Sequence, residues 1–187
     1  YYVNGISIPV AFELIKKPAQ YCDLKTRKLK RASLYTKNEL MRNMLLVCIQ
    51  NKLKFRFVLF DTWFSSKENM CYIKKDLVKD FVCALKRNRL VAVSEEDHQA
   101  NRFTSIEELP WQEETLFVGW LKDVPFPMNF VRQVFVNKDG STGILYLACS
   151  DTTVKRGQIL ATYQKRWPVE VFHKSLKQNA SLGKAPV

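Results

Sequence analysis

Apolar and polar positions change period several times along this chain, and each change marks an element. The opening, YYVNGISIPVAFELIKK, sets two runs of strand formers on either side of Asn4-Gly5, a dipeptide suited to the type I′ turn of a two-residue hairpin. A strand over Ile6–Ile15 is expected, paired with a first strand of which only Tyr1–Val3 is present. Because the sequence also begins without Met, it reads as cut from a longer protein. The basic stretch KKPAQYCDLKTRKLKRASLY, broken by Pro18, reads as a surface loop that is either solvated or follows a nucleic-acid backbone. In TKNELMRNMLLVCIQNKL, Thr36 and Glu39 form a capping box ahead of Leu40, Met44 and Val47 at helical spacing, which predicts a helix. A strand, Phe55–Phe60, then ends in Asp61, and Ser65 with Glu68 repeats the capping pattern for a second helix. An acid at a strand end is either a turn residue or a catalytic group.

From Asp80 to about Cys149 strand patterns dominate: DFVCALKR, LVAVS, TLFVGWLKD, NFVRQVFVN and GILYLACS, the last two joined by the turn NKDGS. This β-rich stretch between two α/β segments reads as an insertion, dividing the chain into residues 1–85, 86–149 and 150–187. Helix resumes in CSDTTVKRGQILATYQKRW, with Ser150 or preferably Asp151 as N-cap. On one continuous helix, Tyr163, Arg166, Glu170 and Lys177 share a narrow face. Val169, Phe172 and Leu176 form an apolar stripe fit to dock on a sheet. Pro168 complicates this geometry, since it either kinks the helix or begins a new one.

Composition narrows the partners. At 187 residues and 47% hydrophobic, the chain can bury one core and a small second one. Its 30 Lys+Arg against 18 Asp+Glu, a net charge of +12, attract polyanions, nucleic acid before acidic lipid. The five cysteines show no C-x-x-C pair and have only His98 and His173 beside them, so reduced core thiols of a cytosolic protein fit and a zinc site does not. Apolar runs are too short for a membrane span, and no signal peptide is visible.

Glu170 stands alone among Lys165, Arg166, His173, Lys174 and Lys177. A carboxylate repels phosphates unless a cation lies between them. Mg²⁺ or Mn²⁺ takes one or two carboxylates together with substrate phosphate oxygens, and Asp61 is the natural second ligand. The plainer alternative is a surface ion pair with Arg166 or Lys174, worth roughly 0.2–0.5 kcal/mol. His173 reads as a surface or packing residue.

Tyr163-x2-Arg166-x3-Glu170-x6-Lys177 resembles, at every spacing, the Y-x2-R-x3-E-x6-K signature of bacterial insertion-sequence DDE transposases. KRWPVEVFHK around Glu170 and VLFDTWFSS around Asp61 are similar to the same family, and the resemblance covers essentially the whole chain. It implies an α/β, RNase H-like (retroviral-integrase-like) mixed sheet with flanking helices, interrupted by the β-rich insertion. It also implies two aspartates and a glutamate holding two Mg²⁺ or Mn²⁺ ions, which activate water and then a DNA 3′-hydroxyl. Asp61 would be the second acid and Glu170 the third, while Tyr163, Arg166, Lys174 and Lys177 hold the transposon end. Some relatives stack a flipped base on a tryptophan of the insertion; Trp111 and Trp120 are candidates for that role or for the core.

The implied partners are transposon terminal repeats, target DNA and a second copy in a synaptic homodimer, in bacterial cytoplasm at the nucleoid and away from membranes. The family's first aspartate belongs on the strand before Asn4-Gly5, so this chain by itself is expected to be inactive. Two alternatives stand beside this reading: a non-catalytic DNA-binding remnant, and an RNase H-like nuclease without strand transfer.

Overall fold

A computed structural model describes residues 1–137 and 139–179, which form two compact units, Tyr1–Lys54 and Phe55–Val187. Lys138 of the NKDGS turn and the end of the last expected segment, 180–187, lie outside the described residues.

In the first unit, β1 (Tyr2–Val3) and β2 (Ile6–Ser7) pair antiparallel. Asn4 and Gly5 take φ values of 49° and 83°, the two left-handed residues that a type I′ turn requires. The strand expected over Ile6–Ile15 stops at Ser7, and residues 8–18 adopt no regular structure. Ile8, Val10, Phe12, Leu14 and Ile15 are all exposed. An extended segment becomes a strand only where a neighbour accepts its ladder, and beyond the Tyr1–Ile8 pair none does.

The basic stretch is a hairpin and not a loop. β3 (Ala19–Asp23) and β4 (Lys28–Ala32) pair in five antiparallel steps from Ala19↔Ala32 to Asp23↔Lys28. Asp23 Oδ1 closes its turn by accepting from the backbone N–H groups of Lys25 and Thr26, both at 3.0 Å. α1 (Lys37–Gln50) begins at the expected capping box: Glu39 N donates to Thr36 Oγ1 at 3.2 Å, and Thr36 N to Glu39 Oε2 at 2.6 Å. None of its residues is fully buried.

The second unit is organised by a seven-stranded mixed sheet. β5 (Phe57–Phe60) is joined through α2 (Lys67–Cys71) and a π-helical turn, Tyr72–Asp76, to its parallel neighbour β6 (Asp80–Leu85). After β7 (Leu90–Ala92), α3 (Glu95–Gln99) and β8 (Thr104–Ser105) come three longer strands: β9 (Leu116–Leu121), β10 (Met128–Val136) and β11 (Thr142–Cys149). The order across the sheet is β5-β6-β11-β10-β9-β7-β8, antiparallel everywhere except β5 with β6. The hairpin between β10 and β11 forms where the turn residues predict it, with Gly140 at φ 81°.

The N-cap of α2 is Ser66, which accepts from Asn69 N at 3.2 Å; the expected Ser65 is instead buried and donates to Thr62 O at 3.0 Å. α4 (Arg156–Gln164) starts at Lys155 and not at Asp151. Asp151 Oδ1 accepts from Thr153 N at 3.0 Å and Thr153 Oγ1 at 2.6 Å, so the side chain closes a local turn upstream of the helix. α4 lays Ile159 and Tyr163 into the core made by Val82, Ala84, Val131, Leu147 and Cys149. By alternation Phe60, Phe81 and Cys83 face the other way, with the Phe60 and Phe81 rings 5.5 Å apart.

The long helix is broken. α4 ends at Lys165, and α5 (Trp167–Asn179) restarts with Pro168 as its second residue, where the missing N–H costs nothing. α5 has no buried residue; Val169 and Phe172 are 46% and 41% exposed, so the stripe with Leu176 is not docked on the sheet. Among the described residues no helix is long and apolar enough to cross a membrane.

Candidate active site

Asp61 follows the last residue of β5, at the carboxyl end of the one parallel strand pair of the sheet. Such ends are where open α/β sheets gather ligand-binding groups. Its Oδ1 accepts from Trp63 N at 2.9 Å and its carbonyl from Phe64 N at 3.2 Å, so the turn role expected of it is real. The turn is anchored from below, because Asn69 Nδ2 donates to Phe64 O at 2.9 Å, and both Ser65 and Asn69 are buried. The carboxylate therefore sits on a fixed loop.

Tyr163 is carried into the core by α4 and is 8% exposed. Burial raises the pKa of its hydroxyl; Arg166 opposes the shift, and the charge of Asp61 adds to it. The Arg166 guanidinium stands 5.3 Å from the Tyr163 ring centre, and its Nη2 donates to Glu170 Oε1 at 2.5 Å. Burial works against the Arg166 charge and is the largest single influence on it, but Glu170 and Tyr163 together outweigh it and its pKa is raised. Arg166 Nε is buried without a partner, leaving a guanidinium donor unused.

The break at Lys165–Arg166 divides the four-residue face, with Tyr163 on α4, Arg166 at the break itself, and Glu170 and Lys177 on α5. Arg166 and Glu170 still meet as an i, i+4 pair, the surface interaction weighed above as the plain alternative. Lys174, Lys177 and His173 are exposed; the imidazole lies edge-on to the neighbouring Phe172 ring, with 6.1 Å between ring centres. Lys177 lies in the last turn of α5, where a cation complements the helix dipole.

Trp111 donates from Nε1 to Ile106 O at 2.7 Å and packs edge-on against Phe117 at 4.9 Å. Trp120 stacks on His98 at 4.9 Å with 14° between the planes. Both therefore have partners within the β-rich stretch. The exposed tryptophans are two that the sequence reading passed over: Trp63, two residues after Asp61, at 81%, and Trp167, beside Arg166, at 63%. Each sits at the boundary of an element next to a candidate acid, and that position was the signal available.

Among the described residues no three of His, Cys, Asp and Glu converge closely enough to hold a metal by themselves. Two carboxylates suit Mg²⁺ or Mn²⁺ all the same, because these ions complete their shell with water and substrate phosphate oxygens. A family model described as "Archaeal putative transposase ISC1217", of the DDE class, matches residues 7–184. No curated protein matches the chain.

Proposed function

Since the chain belongs to this DDE transposase family, we propose that it serves metal-dependent cleavage of transposon ends and their transfer into target DNA. What supports the reading is the placement of the two acids: Asp61 on an anchored turn at the carboxyl end of β5, and Glu170 held by Arg166 beside the Tyr163 ring where α4 gives way to α5. The two acids are 109 positions apart in sequence.

In this reading Asp61 and Glu170 offer oxygen ligands to Mg²⁺ or Mn²⁺, which when bound supplies a Lewis acid and an activated nucleophile. Arg166 exchanges the Glu170 carboxylate for a DNA phosphate, so each charge remains matched. Tyr163 fixes the guanidinium from the core side. Lys174 and Lys177 continue the backbone track along α5, and Trp63 and Trp167 present open ring faces to bases at the cleaved end. Residues 86–149 form the insertion, and two copies synapse two terminal repeats at the nucleoid.

The test is Mn²⁺ binding by the protein mixed with terminal-repeat duplex, read by electron paramagnetic resonance, together with nicking of that duplex. Asp61→Asn and Glu170→Gln should each reduce the bound Mn²⁺ signal at least tenfold; unchanged binding in both, or nicking that survives both, refutes the assignment. The 2.5 Å Arg166–Glu170 pair favours a second reading, DNA binding without chemistry. In that case Glu170→Ala tightens metal-free DNA binding by removing a repulsive charge.

A further inference from the structure

We propose that the β3–β4 ribbon is a duplex-DNA-binding arm, carried by the first unit and independent of the carboxylates. Residues 16–32 hold Lys16, Lys17, Lys25, Arg27, Lys28, Lys30 and Arg31 against a single acid, Asp23. That acid is already spent: it pairs with Lys30 and closes the turn. Lys25, Arg27, Lys28 and Arg31 are exposed and form no ion pair among the described residues.

The ribbon stands as a two-stranded sheet of its own, and among the described residues no third strand pairs with either edge. Five residues per strand span about 17 Å, and a two-stranded ribbon is one of the shapes the major groove of B-DNA admits. The pairing register fixes which side chains share a face. Lys28 and Lys30 lie on one face with Tyr21, Arg31 lies on the other, and Lys25 and Arg27 crown the turn. A ribbon seated in a groove meets phosphates on both walls, so cations on both faces are used. The same distribution argues against a lipid surface, which would need one face free of charge to submerge. The tip holds its shape without a partner, with Arg27 at φ 52° in the tightest position, so little ordering is needed on binding.

The test is fluorescence anisotropy of a labelled mixed-sequence duplex without divalent metal, between 50 and 300 mM salt. The ribbon residues are distinct from Asp61 and Glu170 and the assay needs neither metal nor cleavage, so failure here and failure of the cleavage reading are separate results. A Lys25→Gln/Arg27→Gln/Lys28→Gln/Arg31→Gln variant should lose on the order of 100-fold in affinity near 100 mM salt, and its log K against log salt slope should flatten by about 3–4. Lys28→Arg with Arg31→Lys should retain both values. An equal neutralisation in the second unit, at Lys75, Lys86, Arg87 and Lys122, should cost less than a tenth as much. Circular dichroism of the quadruple variant should match wild type. Binding within twofold of wild type with an unchanged slope overturns the proposal, as does an equal loss in the second-unit control. Single-stranded DNA bound as tightly as duplex also overturns it, and so does ribbon-dependent capture by anionic vesicles with duplex binding unaltered.

Discussion

Removing the charge of Asp151 should weaken the second unit by an amount that fades with acid. Its Oδ2 meets Arg56 Nη2 at 2.7 Å while Oδ1 takes both Thr153 donors, and these bonds, those from Thr153 foremost, hold its pKa at about 2. An unfolded aspartate titrates near pH 4, so a native pKa of about 2 corresponds to at most about 2.6 kcal/mol. Arg56 is 65% exposed, and solvent screening reduces this to about 1–2 kcal/mol. The native pKa is depressed, so the contribution is complete above about pH 4 and is lost as pH falls through about 2. Asp151→Asn keeps an acceptor for Thr153 but not the charge, and should therefore cost about 1–2 kcal/mol at pH 7 and about half that at pH 3. Urea unfolding followed by tryptophan fluorescence reads this directly, because Trp63, Trp111, Trp120 and Trp167 all belong to the second unit. A difference that is flat from pH 7 to pH 3, or absent at pH 7, would refute the argument.

Gly119→Ala should be far more damaging than its size suggests. A Cβ there would stand 2.2 Å from the backbone oxygen of Ala92, and since backbone cannot step aside, a loss of about 3 kcal/mol or more is expected in the same urea assay. Ile159→Val, at a fully buried position that seats α4, should cost about 0.5–1.5 kcal/mol; no measurable change would mean that α4 is not packed there. Glu170→Gln should alter stability by less than about 0.5 kcal/mol, because the pair with Arg166 leaves the glutamate 45% exposed, and a loss above about 1.5 kcal/mol would mark it as structural. At pH 8 iodoacetamide should label Cys22 in the folded protein well before Cys149, whose thiol burial pushes up to about 11, leaving about one in a thousand ionised. Equal labelling rates would contradict the buried placement of β11.

The local signals that held are those whose physics is local. Asn4-Gly5 turned because both residues tolerate positive φ, Thr36 and Glu39 capped α1 because each satisfies the other's backbone donor, and Gly140 closed the β10–β11 hairpin. The break at Pro168 was likewise visible as one of two outcomes, since its missing N–H leaves the carbonyl of Gln164 without a helical donor whatever the fold. Where a side chain had two competing uses, the tertiary structure chose between them. Asp151 closes a turn with Thr153 and pairs with Arg56 from 95 positions away, leaving the start of α4 to Lys155. Ser65 is drawn under the Asp61 loop, and Ser66 caps α2 in its place.

Sequence by itself determined the chemistry of this protein: which residues are acids and cations, their spacing around Glu170, and the positive charge that selects a polyanion. Only the tertiary structure decided that Tyr163 is buried beside Arg166, that Trp111 and Trp120 have partners while Trp63 and Trp167 are open, and that the basic stretch is a ribbon with two usable faces. The reason is physical. Charge and spacing are fixed by covalent order, whereas proximity, exposure and strand pairing depend on what a distant segment brings alongside. The Ile6–Ile15 pattern, strand-like in sequence but with no regular strand beyond Ser7, shows that a segment cannot supply its own neighbour.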